Sequence, residues 1–464
     1  MHCGRGQWAC MVRTMHWISP GERRRLGRAR RRQARRRQHD ELHPGKRPAG
    51  SLELLARSMQ GRVPALIALK YEMMLESPFA YFRGAAPVMA ADLAALANTG
   101  IECQICGDAH VRNLGAYAGP DGRLVFDIND FDETVRAPFE WDLKRMAASL
   151  VLAGRAAGHK ESTARAAAEA CAERYAALMR QFAAMPMIEV ARFQVRRMNL
   201  ARPVHEALMK AERATPRHTL EQFTEPAKDR KDGTGKGAKT GGAARVFREN
   251  PPLLRREKRA RAAILAALAP YAEMLEPQRR HLLGFYRPVD VAFKVVGTGS
   301  VGLRDYCIYF EGNGENDPLF LQVKEETHSV YAPYLGEPRA PAHNGMRVAQ
   351  GQRAMQMQSD PFLGWTHIGS RHFLVRQLSD HKGSIDLDDL AGGNLRAYAE
   401  VCGELLARGH ARSGDALAIA GYLGNGGGFV EALARFGALY ADQTEKDWEE
   451  LKKARRKIRR PRGE

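Results

Sequence analysis

Asp108 and Asn113 stand five residues apart in the chain, directly after a short apolar segment. On a turn that follows a strand, this spacing can bring both side chains to one point. The carboxylate can then orient or deprotonate a hydroxyl, while the amide oxygen coordinates a divalent ion. The spacing alone is common, so this candidate pair needs support from other parts of the chain.

A second cluster of oxygen-bearing side chains follows within Phe126 to Glu133. Its acidic members are Asp127, Asp130, Asp132 and Glu133. Clustered carboxylates at the end of a strand repel one another unless a cation offsets them, and hard oxygen ligands of this kind suit Mg²⁺. An EF-hand loop is excluded, because it needs oxygen and then glycine where this chain has Phe131 and Asp132. An exposed acidic turn is the alternative.

A glycine-rich loop with the spacing Gly-x-Gly-x-x-Gly forms the third candidate site. The candidate nucleotide-binding residues in it are Gly297, Thr298, Gly299, Ser300 and Gly302. The loop lies between two predicted strands, Asp290 to Val296 and Asp305 to Phe310. A dinucleotide-binding loop runs from a strand into a helix, whereas a loop between two strands is typical of the hairpin that covers ATP phosphates in kinases. Glycine-rich hairpins are common, so the motif is weak by itself.

Lys324 adds weight to the glycine-rich loop. It ends the apolar run Leu319 to Val323, which reads as a strand. A lysine at this position can reach back to the α- and β-phosphates of a nucleotide. Without the glycines, an ordinary lysine at a strand end would be the better interpretation.

Two other motifs fail on inspection. Residues Gly233 to Thr240 almost match a P-loop, but Ala238 replaces the required glycine and no apolar strand precedes them. Cys103 and Cys106 have the spacing of a zinc-binding pair, but no second pair follows at a suitable distance. The sequence therefore favours neither a P-loop nor a zinc site.

The basic charge of the chain is concentrated in arms and one loop. The formal net charge is +19, and residues 1–50 alone hold 14 Lys or Arg against 3 acidic residues. Residues 225–258 and 446–464 are also basic, which leaves the rest of the chain close to neutral. Such arms are typical of solvated segments, although they can also bind nucleic acid or an anionic surface weakly. The arginine density from Arg23 to Arg37 argues against a packed helix there.

The compartment is inferred from the cysteines and from the hydropathy. The chain has 7 scattered cysteines, and an odd, scattered set predicts a reducing cytoplasm. No apolar run of about 18 residues occurs, so no transmembrane helix is expected.

The elements that must position these residues follow from periodicity. Helices are predicted from Ser51 to Met74, with a break near Pro64, and an aromatic turn from Phe79 to Gly84. A strand from Ile101 to Ile105 leads into Gly107, and a hairpin joins Leu114–Tyr117 to Leu124–Ile128. Later elements are predicted as helices over Trp141–Leu152, Glu161–Met185, Ile188–Ala214, Arg259–Leu275, Met346–Met357, Leu395–Arg408 and Phe429–Lys453, with a strand over Phe373–Leu378.

The stretch from Gly107 to Leu150 resembles the catalytic core of aminoglycoside-phosphotransferase-like kinases. In those proteins His-Gly-Asp is followed five residues on by Asn, then by a hairpin, an Ile-Asp-Phe metal site and a helix that starts with Asp-Leu. The matching positions in this chain are Asp108, Asn113, Asp130-Phe131 and Asp142-Leu143.

Most of the chain, from about Leu52 to Trp448, also resembles an uncharacterised bacterial family, domain of unknown function 2252. The segments that carry this resemblance are Ser77 to Gly84, Gly107 to Gly115, Phe126 to Glu133, Pro138 to Ala147, Lys294 to Gly302, Asp317 to Glu325 and His410 to Gly424. The family is grouped with kinase-like folds.

The resemblance implies a role for each candidate residue. Asp108 would be the catalytic carboxylate, and Asn113 and Asp130 would be the Mg²⁺ ligands. Asp127 or Asp132 would support the metal or bind a second one. Gly297, Gly299 and Gly302 would cover the phosphates of ATP, and Lys324 would contact them.

The resemblance also implies an architecture, a two-lobed α+β fold of the protein-kinase-like class. The order is circularly permuted, because the glycine loop and its lysine come after the catalytic loop. A helix-rich large lobe would combine residues 51–225 and 386–453, and residues 259–385 would form a helix and then a small antiparallel-sheet lobe. The remaining segments are predicted as a basic disordered arm (1–50), a flexible basic linker (226–258) and a basic tail (454–464).

The predicted reaction is Mg-ATP-dependent phosphoryl transfer to an unknown small-molecule or protein acceptor. Two positions depart from the kinase pattern. Cys106 stands where the motif carries His, and the helix Met346–Met357 offers Gln350 and Gln352 but no Glu to hold Lys324. The alternatives are a nucleotide-binding pseudokinase, a nucleotidyl-transferring relative, or a protein that binds nucleic acid through its basic arms.

Overall fold

The computed structural model describes residues 17–194, 201–227, 245–295, 297–314, 317–336, 341–378 and 381–459. Helices and antiparallel sheets build the fold. The protein is therefore of the α+β class, as the sequence predicts.

Short helices precede the first strand. They are α1 (Pro20–Ala29), α2 (Ser51–Arg57), α3 (Pro64–Leu75), α4 (Pro78–Gly84) and α5 (Ala86–Ala94). The predicted break near Pro64 is confirmed, because this proline starts α3. The aromatic turn predicted from Phe79 to Gly84 was wrong. Ser77 accepts a hydrogen bond from the Ala80 backbone N–H and caps a helix there, and a proline in the first turn suits a helix start.

Two pairs of strands carry the first two candidate sites. They are β1 (Glu102–Ile105), β2 (Leu114–Ala118), β3 (Leu124–Ile128) and β4 (Val135–Pro138). The predicted hairpin is β2 and β3, which pair antiparallel. Strand β1 pairs antiparallel with β4, so that Ile105 lies opposite Val135. The segment after β1 and the segment between β3 and β4 thus lie at the same end of the β1–β4 pair.

Helices follow the strands up to residue 223. They are α6 (Glu140–Ala156), α7 (Glu161–Phe182), α8 (Met187–Arg192), α9 (Arg202–Arg213) and α10 (Pro216–Phe223). Along α6, both apolar and polar residues are buried from Glu140 to Gly154. A helix buried on every side must satisfy its polar groups internally, so α6 is a source of buried charged side chains.

A six-stranded antiparallel sheet forms the next part of the chain, in the order β11–β12–β10–β9–β8–β7. The elements of this part are β5 (Thr224–Pro226), β6 (Arg245–Phe247), β7 (Leu254–Arg256), α11 (Arg261–Ala266), α12 (Leu268–Met274), α13 (Pro277–Leu283), β8 (Arg287–Lys294), β9 (Asp305–Glu311), β10 (Pro318–Glu326), α14 (Asn344–Met355), β11 (Gly364–Ile368) and β12 (Arg371–Gln377). The predicted strands match β8, β9, β10 and β12 to within a few residues, and β11 was missed.

The last elements return to the helical part. They are β13 (Gly383–Ser384), α15 (Asn394–Ser413), α16 (Ala416–Leu423) and α17 (Gly427–Arg459). Strand β13 pairs with β2, so the chain re-enters beside the first hairpin. Helix α17 runs to Arg459, into the stretch predicted as a basic tail. Residues 460–464 lie outside the described part.

The two faces of the six-stranded sheet are covered by different apolar clusters. One face packs against α11 and α12 and includes Leu321 and Val323 of β10. The other face carries Phe320, which packs against α10 and β6. This division follows the alternation of side chains along a strand. A larger core joins α6, α7, α15 and α17.

The prediction of a disordered arm over residues 1–50 does not hold for residues 17–50. Helix α1 packs against α16, and its neighbouring arginines bind carbonyl oxygens at the end of that helix. Arg31 donates to Tyr422 O and Gly421 O, and Arg36 donates to Leu423 O. The last carbonyls of a helix have no partner within it, so these guanidinium groups cap α16. Residues 1–16 lie outside the described part.

We expect Gly27→Ala to undock α1. A Cβ at residue 27 would lie 2.0 Å from the carbonyl oxygen of Ala418, so the two helices would have to separate. Overpacking of this kind typically costs about 1–3 kcal/mol. Limited proteolysis of the first 50 residues should become faster. Gly21→Ala is the matched control, because its Cβ would meet nothing within 4 Å. Equal proteolysis rates for the two variants would contradict this packing.

The flexible linker predicted over residues 226–258 is replaced by strands where it is described. Residues 245–258 contain β6 and β7, and β7 extends the six-stranded sheet. The basic side chain of Arg256 pairs with buried Asp290 at 2.9 Å, which explains why a polar segment is held against the sheet. Residues 228–244 lie outside the described part, and so does the P-loop-like sequence Gly233 to Thr240.

No helix in the described ranges is both long and apolar enough to cross a membrane.

Candidate functional site

A cleft of about 610 Å³ lies where the six-stranded sheet meets the helical part. The predicted residues that line it are Asp108, Asn113, Asp130, Asp132, Gly297, Thr298, Gly299 and Ser300. The three candidate motifs, which are far apart in the chain, therefore meet at one cavity. The volume is within the usual range for small-molecule sites.

The loop after β1 is held by an aspartate at the start of α6. The carboxylate of Asp142 accepts hydrogen bonds from the backbone N–H groups of Cys106 and Gly107, at 2.8 and 2.9 Å. Gly107 has φ of +80°, and a Cβ there would lie 2.2 Å from Glu133 O. Glycine is therefore required where this loop passes the acidic turn. Cys106 is buried and does not line the cleft, and burial raises the pKa of its thiol.

Asp108 presents a carboxylate to the cleft and is held from behind by Arg145. The Nε of Arg145 donates to Asp108 Oδ1 at 2.5 Å. Burial alone would lower the pKa of Arg145, but the Asp108 carboxylate raises it overall. His110 Nε2 lies 3.6 Å from Asp108 Oδ2, and burial lowers the pKa of His110 to about 3, which keeps this imidazole neutral. An arginine-paired carboxylate of this kind can accept a hydrogen bond from a hydroxyl and so orient it.

The side chain and the backbone of Asn113 are both held by hydrogen bonds. The side-chain Nδ2 donates to the Asp108 backbone oxygen at 2.8 Å, and the backbone carbonyl oxygen of Asn113 accepts from Asn129 N at 3.0 Å. The first bond leaves the side-chain oxygen as a potential metal ligand. The second ties the Asp108 loop to the acidic turn that follows β3.

The acidic turn meets Lys324 from the sheet. The ammonium group of Lys324 lies 2.5 Å from Asp132 Oδ2 and 3.8 Å from Asp130 Oδ1. Lys324 itself is buried in β10 and contacts the cleft through these two carboxylates. The predicted meeting of the lysine with the acidic cluster is thus present in the structure, although Lys324 does not line the cavity.

The two carboxylates have opposite titration behaviour. Burial would raise the pKa of Asp130, but Lys324 and Arg376 together lower it below the usual value for an aspartate. Burial and the neighbouring Asp130 charge raise the pKa of Asp132 to about 6. For Lys324 burial acts downward, but the carboxylates raise its pKa overall. Of the two carboxylates, Asp130 is therefore the one that keeps its negative charge at mildly acidic pH as well as at neutral pH.

Asp130 and Asn113 fit a Mg²⁺ ion as a pair of oxygen ligands. Asp130 Oδ1 is buried and has no hydrogen-bond partner, and Asn113 lines the same cavity. Mg²⁺ is commonly held by one or two protein oxygens, with water and ligand phosphates completing its shell. Among the described residues, no group of three or more His, Cys, Asp or Glu could hold a metal by itself.

The structure does not bring Asp127 into the cleft, which corrects its predicted role beside the metal. Asp127 lies on β3 and forms a buried ion pair with Arg408 of α15. It also accepts a hydrogen bond from the Ile128 backbone N–H at 2.7 Å. The Asp127 carboxylate is therefore directed to α15 and does not line the cleft.

The glycine loop joins β8 to β9 as a hairpin, as predicted, and is clamped from α3. Lys70 Nζ donates to Thr298 O at 3.0 Å and to Gly299 O at 2.6 Å. Gly297 and Gly302 have φ of +64° and +92°, a region that side chains rarely tolerate. Gly302 does not line the cleft, but its carbonyl accepts from Val63 N at 2.7 Å.

Helix α14 supplies an arginine that holds the acidic turn. Arg347 donates to three carbonyl oxygens, those of Thr134, Asp132 and Thr327, at 2.5, 2.7 and 2.9 Å. It therefore joins the acidic turn to the segment after β10. Gln352 points to Gln356 instead of Lys324. Lys324 forms its ion pairs with Asp130 and Asp132 of the acidic turn. Among the described residues, no carboxylate of α14 pairs with it.

Sequence reasoning missed several residues that shape the site. They are Lys70, Arg83, Arg145 and Arg347. Lys70 had a signal, because it is a single lysine in the apolar helix Pro64–Leu75. Asp142, by contrast, is one of the positions that match the kinase resemblance, and its hydrogen bonds to Cys106 and Gly107 give it a structural reason. Nothing local marks Arg347, whose partners are all carbonyl groups distant in the chain.

The fold defines an α+β protein with a cleft that is lined by residues from separated parts of the chain. The chain belongs to the family of uncharacterised proteins conserved in bacteria that is designated DUF2252, whose model matches residues 62–454. No curated protein and no solved structure matches the chain.

Proposed function

We propose that this protein is a Mg-ATP-dependent phosphotransferase with a circularly permuted, kinase-like fold. The observation that carries the proposal is the meeting of Asp108, Asn113 and Asp130 with the glycine loop in one cleft. These are the residue types that phosphoryl transfer needs, because its catalysis consists of positioning and of charge stabilisation.

The order of elements supports the kinase-like part of the proposal. The glycine loop connects β8 and β9, Lys324 lies on the next strand, α14 follows, and β11 and β12 complete the sheet. The Asp108 loop and the acidic turn come before all of these in the chain. Since catalysis depends on the spatial arrangement of groups and not on their order, the permutation is compatible with activity.

Each residue would have a distinct task. Asp130 and Asn113 would hold Mg²⁺, which when bound neutralises phosphate charge. Asp108 would accept the hydrogen bond of the acceptor hydroxyl and fix its direction of attack. The glycine loop would cover the phosphates. Lys324 would hold the carboxylates of Asp130 and Asp132 in position through its ion pairs with both.

The proposal is tested by following nucleotide binding and ADP release in the same preparation. Mg-ATP should raise the melting temperature of the full chain, and ADP should form at a measurable basal rate. Asp108→Asn should keep the rise in melting temperature but lower ADP formation about 10²-fold or more, because the hydroxyl is no longer oriented.

Asp121→Asn, on the turn between β2 and β3, is the matched control and should behave as wild type. The proposal is wrong if Mg-ATP neither shifts the melting temperature of the wild-type chain nor yields ADP.

A nucleotide-binding protein without turnover is the second candidate. The observation that favours it is the engagement of Lys324 by both carboxylates of the acidic turn, which occupies the residue that would contact the phosphates. This candidate gives the same rise in melting temperature with Mg-ATP but no ADP above the level of the Asp108→Asn variant.

A further inference from the structure

Four lysine or arginine side chains line the cleft, and one of them, Arg57, pairs with Glu53. The other three are Arg62, Lys70 and Arg83. Lys70 donates only to loop carbonyls, and Arg62 donates to the carbonyl oxygens of Val301 and Ser58, at 2.5 and 3.0 Å. Arg83 Nε is buried without a hydrogen-bond partner. In the ranges that the structure describes, none of the three forms a salt bridge with a carboxylate.

The arrangement of α3 and α4 brings these cations to one side. The two helices pack so closely that a Cβ at Gly84 would lie 2.6 Å from Met74 Cγ. Arg83 then abuts the loop tip, since a Cβ at Gly299 would lie 3.7 Å from Arg83 O. Lys70 reaches the same tip from α3, so helices and loop form a single wall.

The aspartates of the cleft are, by contrast, paired with other cations. Asp108 is paired with Arg145, and Asp130 and Asp132 share Lys324. Asp108 and Asp130 attract Arg83 only at longer range. In the part of the chain that the structure describes, these aspartates therefore form no ion pair with the three cations.

Of the two glutamates of the cleft, Glu133 attracts Arg62 and Lys70 at longer range, without a salt bridge to either among the described residues. Glu133 accepts a hydrogen bond from Val330 N at 2.7 Å. Burial raises the pKa of Glu326 well above the usual value for a glutamate, so that its neutral form is favoured. The positive charge of this wall is therefore carried mainly by Arg62 and Arg83, because burial lowers the pKa of Lys70 well below its usual range.

That positive charge has a free-energy cost in the absence of a ligand. Burial is the main cause that lowers the pKa of each of the three cations. A buried cation without a counter-ion is unfavourable, and an entering anion offsets the cost through charge-assisted hydrogen bonds. Guanidinium groups present a planar fork that suits phosphate oxygens.

We propose that Arg62, Lys70 and Arg83 form a binding site for a phosphate group, separate from the Mg²⁺ ligands. The bound phosphate belongs either to the nucleotide donor or to the acceptor. The distinction between donor and acceptor rests on the proposed function, whereas the presence of the site does not. The site itself requires no metal and no turnover.

The test is calorimetric titration of the full chain with sodium pyrophosphate, in EDTA and at constant ionic strength. The wild-type chain should bind pyrophosphate. Arg83→Gln should weaken binding at least tenfold, because the guanidinium with the fewest protein contacts is removed. Arg62→Gln is the second variant, and Arg396→Gln, an exposed arginine of α15 paired with Glu400, is the matched control. Wild-type affinity in both cleft variants would overturn the proposal, as would no binding by the wild-type chain.

Competition identifies the source of the phosphate. If Mg-ATP displaces pyrophosphate, the site holds a donor phosphate, and if both bind together, it holds a phosphate of the acceptor. Failure of the proposed function is separate, because Asp108→Asn should lower ADP formation about 10²-fold or more while pyrophosphate still binds. A protein that binds pyrophosphate through Arg83 but never forms ADP would retain this site and lose the phosphotransferase proposal.

Discussion

Asp130→Asn is expected to lower Mg²⁺-dependent ADP formation about 10³-fold or more. Asp130 has its pKa held low by Lys324 and Arg376, so it supplies full negative charge to a cation. Its buried Oδ1 has no hydrogen-bond partner, and an amide oxygen in its place carries no charge. Loss of one preorganised electrostatic contact commonly costs 10²–10³ in rate, and loss of the metal costs more.

The measurement is the initial rate of ADP release as a function of Mg²⁺ concentration, with the melting temperature recorded for each variant. Asn preserves the size of the side chain, so the fold should be retained. Asp121→Asn again provides the exposed control. A wild-type Mg²⁺ dependence in Asp130→Asn would show that the metal is held elsewhere.

Arg408→Met is expected to produce the largest loss of stability, on the order of 3–5 kcal/mol. It removes the partner of Asp127, and both side chains are almost fully buried, at 4% and 3% exposure. The remaining carboxylate would be a buried charge without compensation. The change should lower the midpoint of urea denaturation and leave the Mg²⁺ dependence of ADP release unaltered in the folded fraction.

The double variant Asp127→Leu, Arg408→Met should recover most of the lost stability, because it leaves no buried charge. Arg396→Met, on the same helix but exposed and paired with Glu400, is the matched control and should change the midpoint little. A selective loss of Mg²⁺ dependence in Arg408→Met, at wild-type stability, would restore Asp127 to the metal site.

The hairpin, the glycine loop and the lysine strand could be predicted because their signals are local. Alternation and turn residues mark β2 and β3, and the change of period marks β8, β9 and β10. The expectation that Asp130 and Lys324 meet came from resemblance to kinases. Spacing within a single motif carries no information on which distant segment it will face.

The misjudged segments share one cause, which is that their stability comes from distant partners. The arginine-rich stretch from residue 23 to residue 37 has the composition of a solvated arm, but Arg23 pairs with Asp415 at 2.8 Å and its neighbours cap α16. Similarly, the predicted metal residue Asp127 is neutralised by Arg408, which lies 281 positions further along the chain. Composition and local spacing cannot reveal such pairs.

The packing on one face of the six-stranded sheet bears on how a nucleobase would bind under the proposed function. On the Lys324 face of β10, Gln322 is hydrogen bonded to Asp305 and Arg376, at 2.7 and 2.8 Å. Beyond it, Phe320 packs against Phe223 and Phe247. Gln322 and Phe320 are thus both engaged by protein groups, and a base bound at the glycine loop would have to be recognised by other side chains.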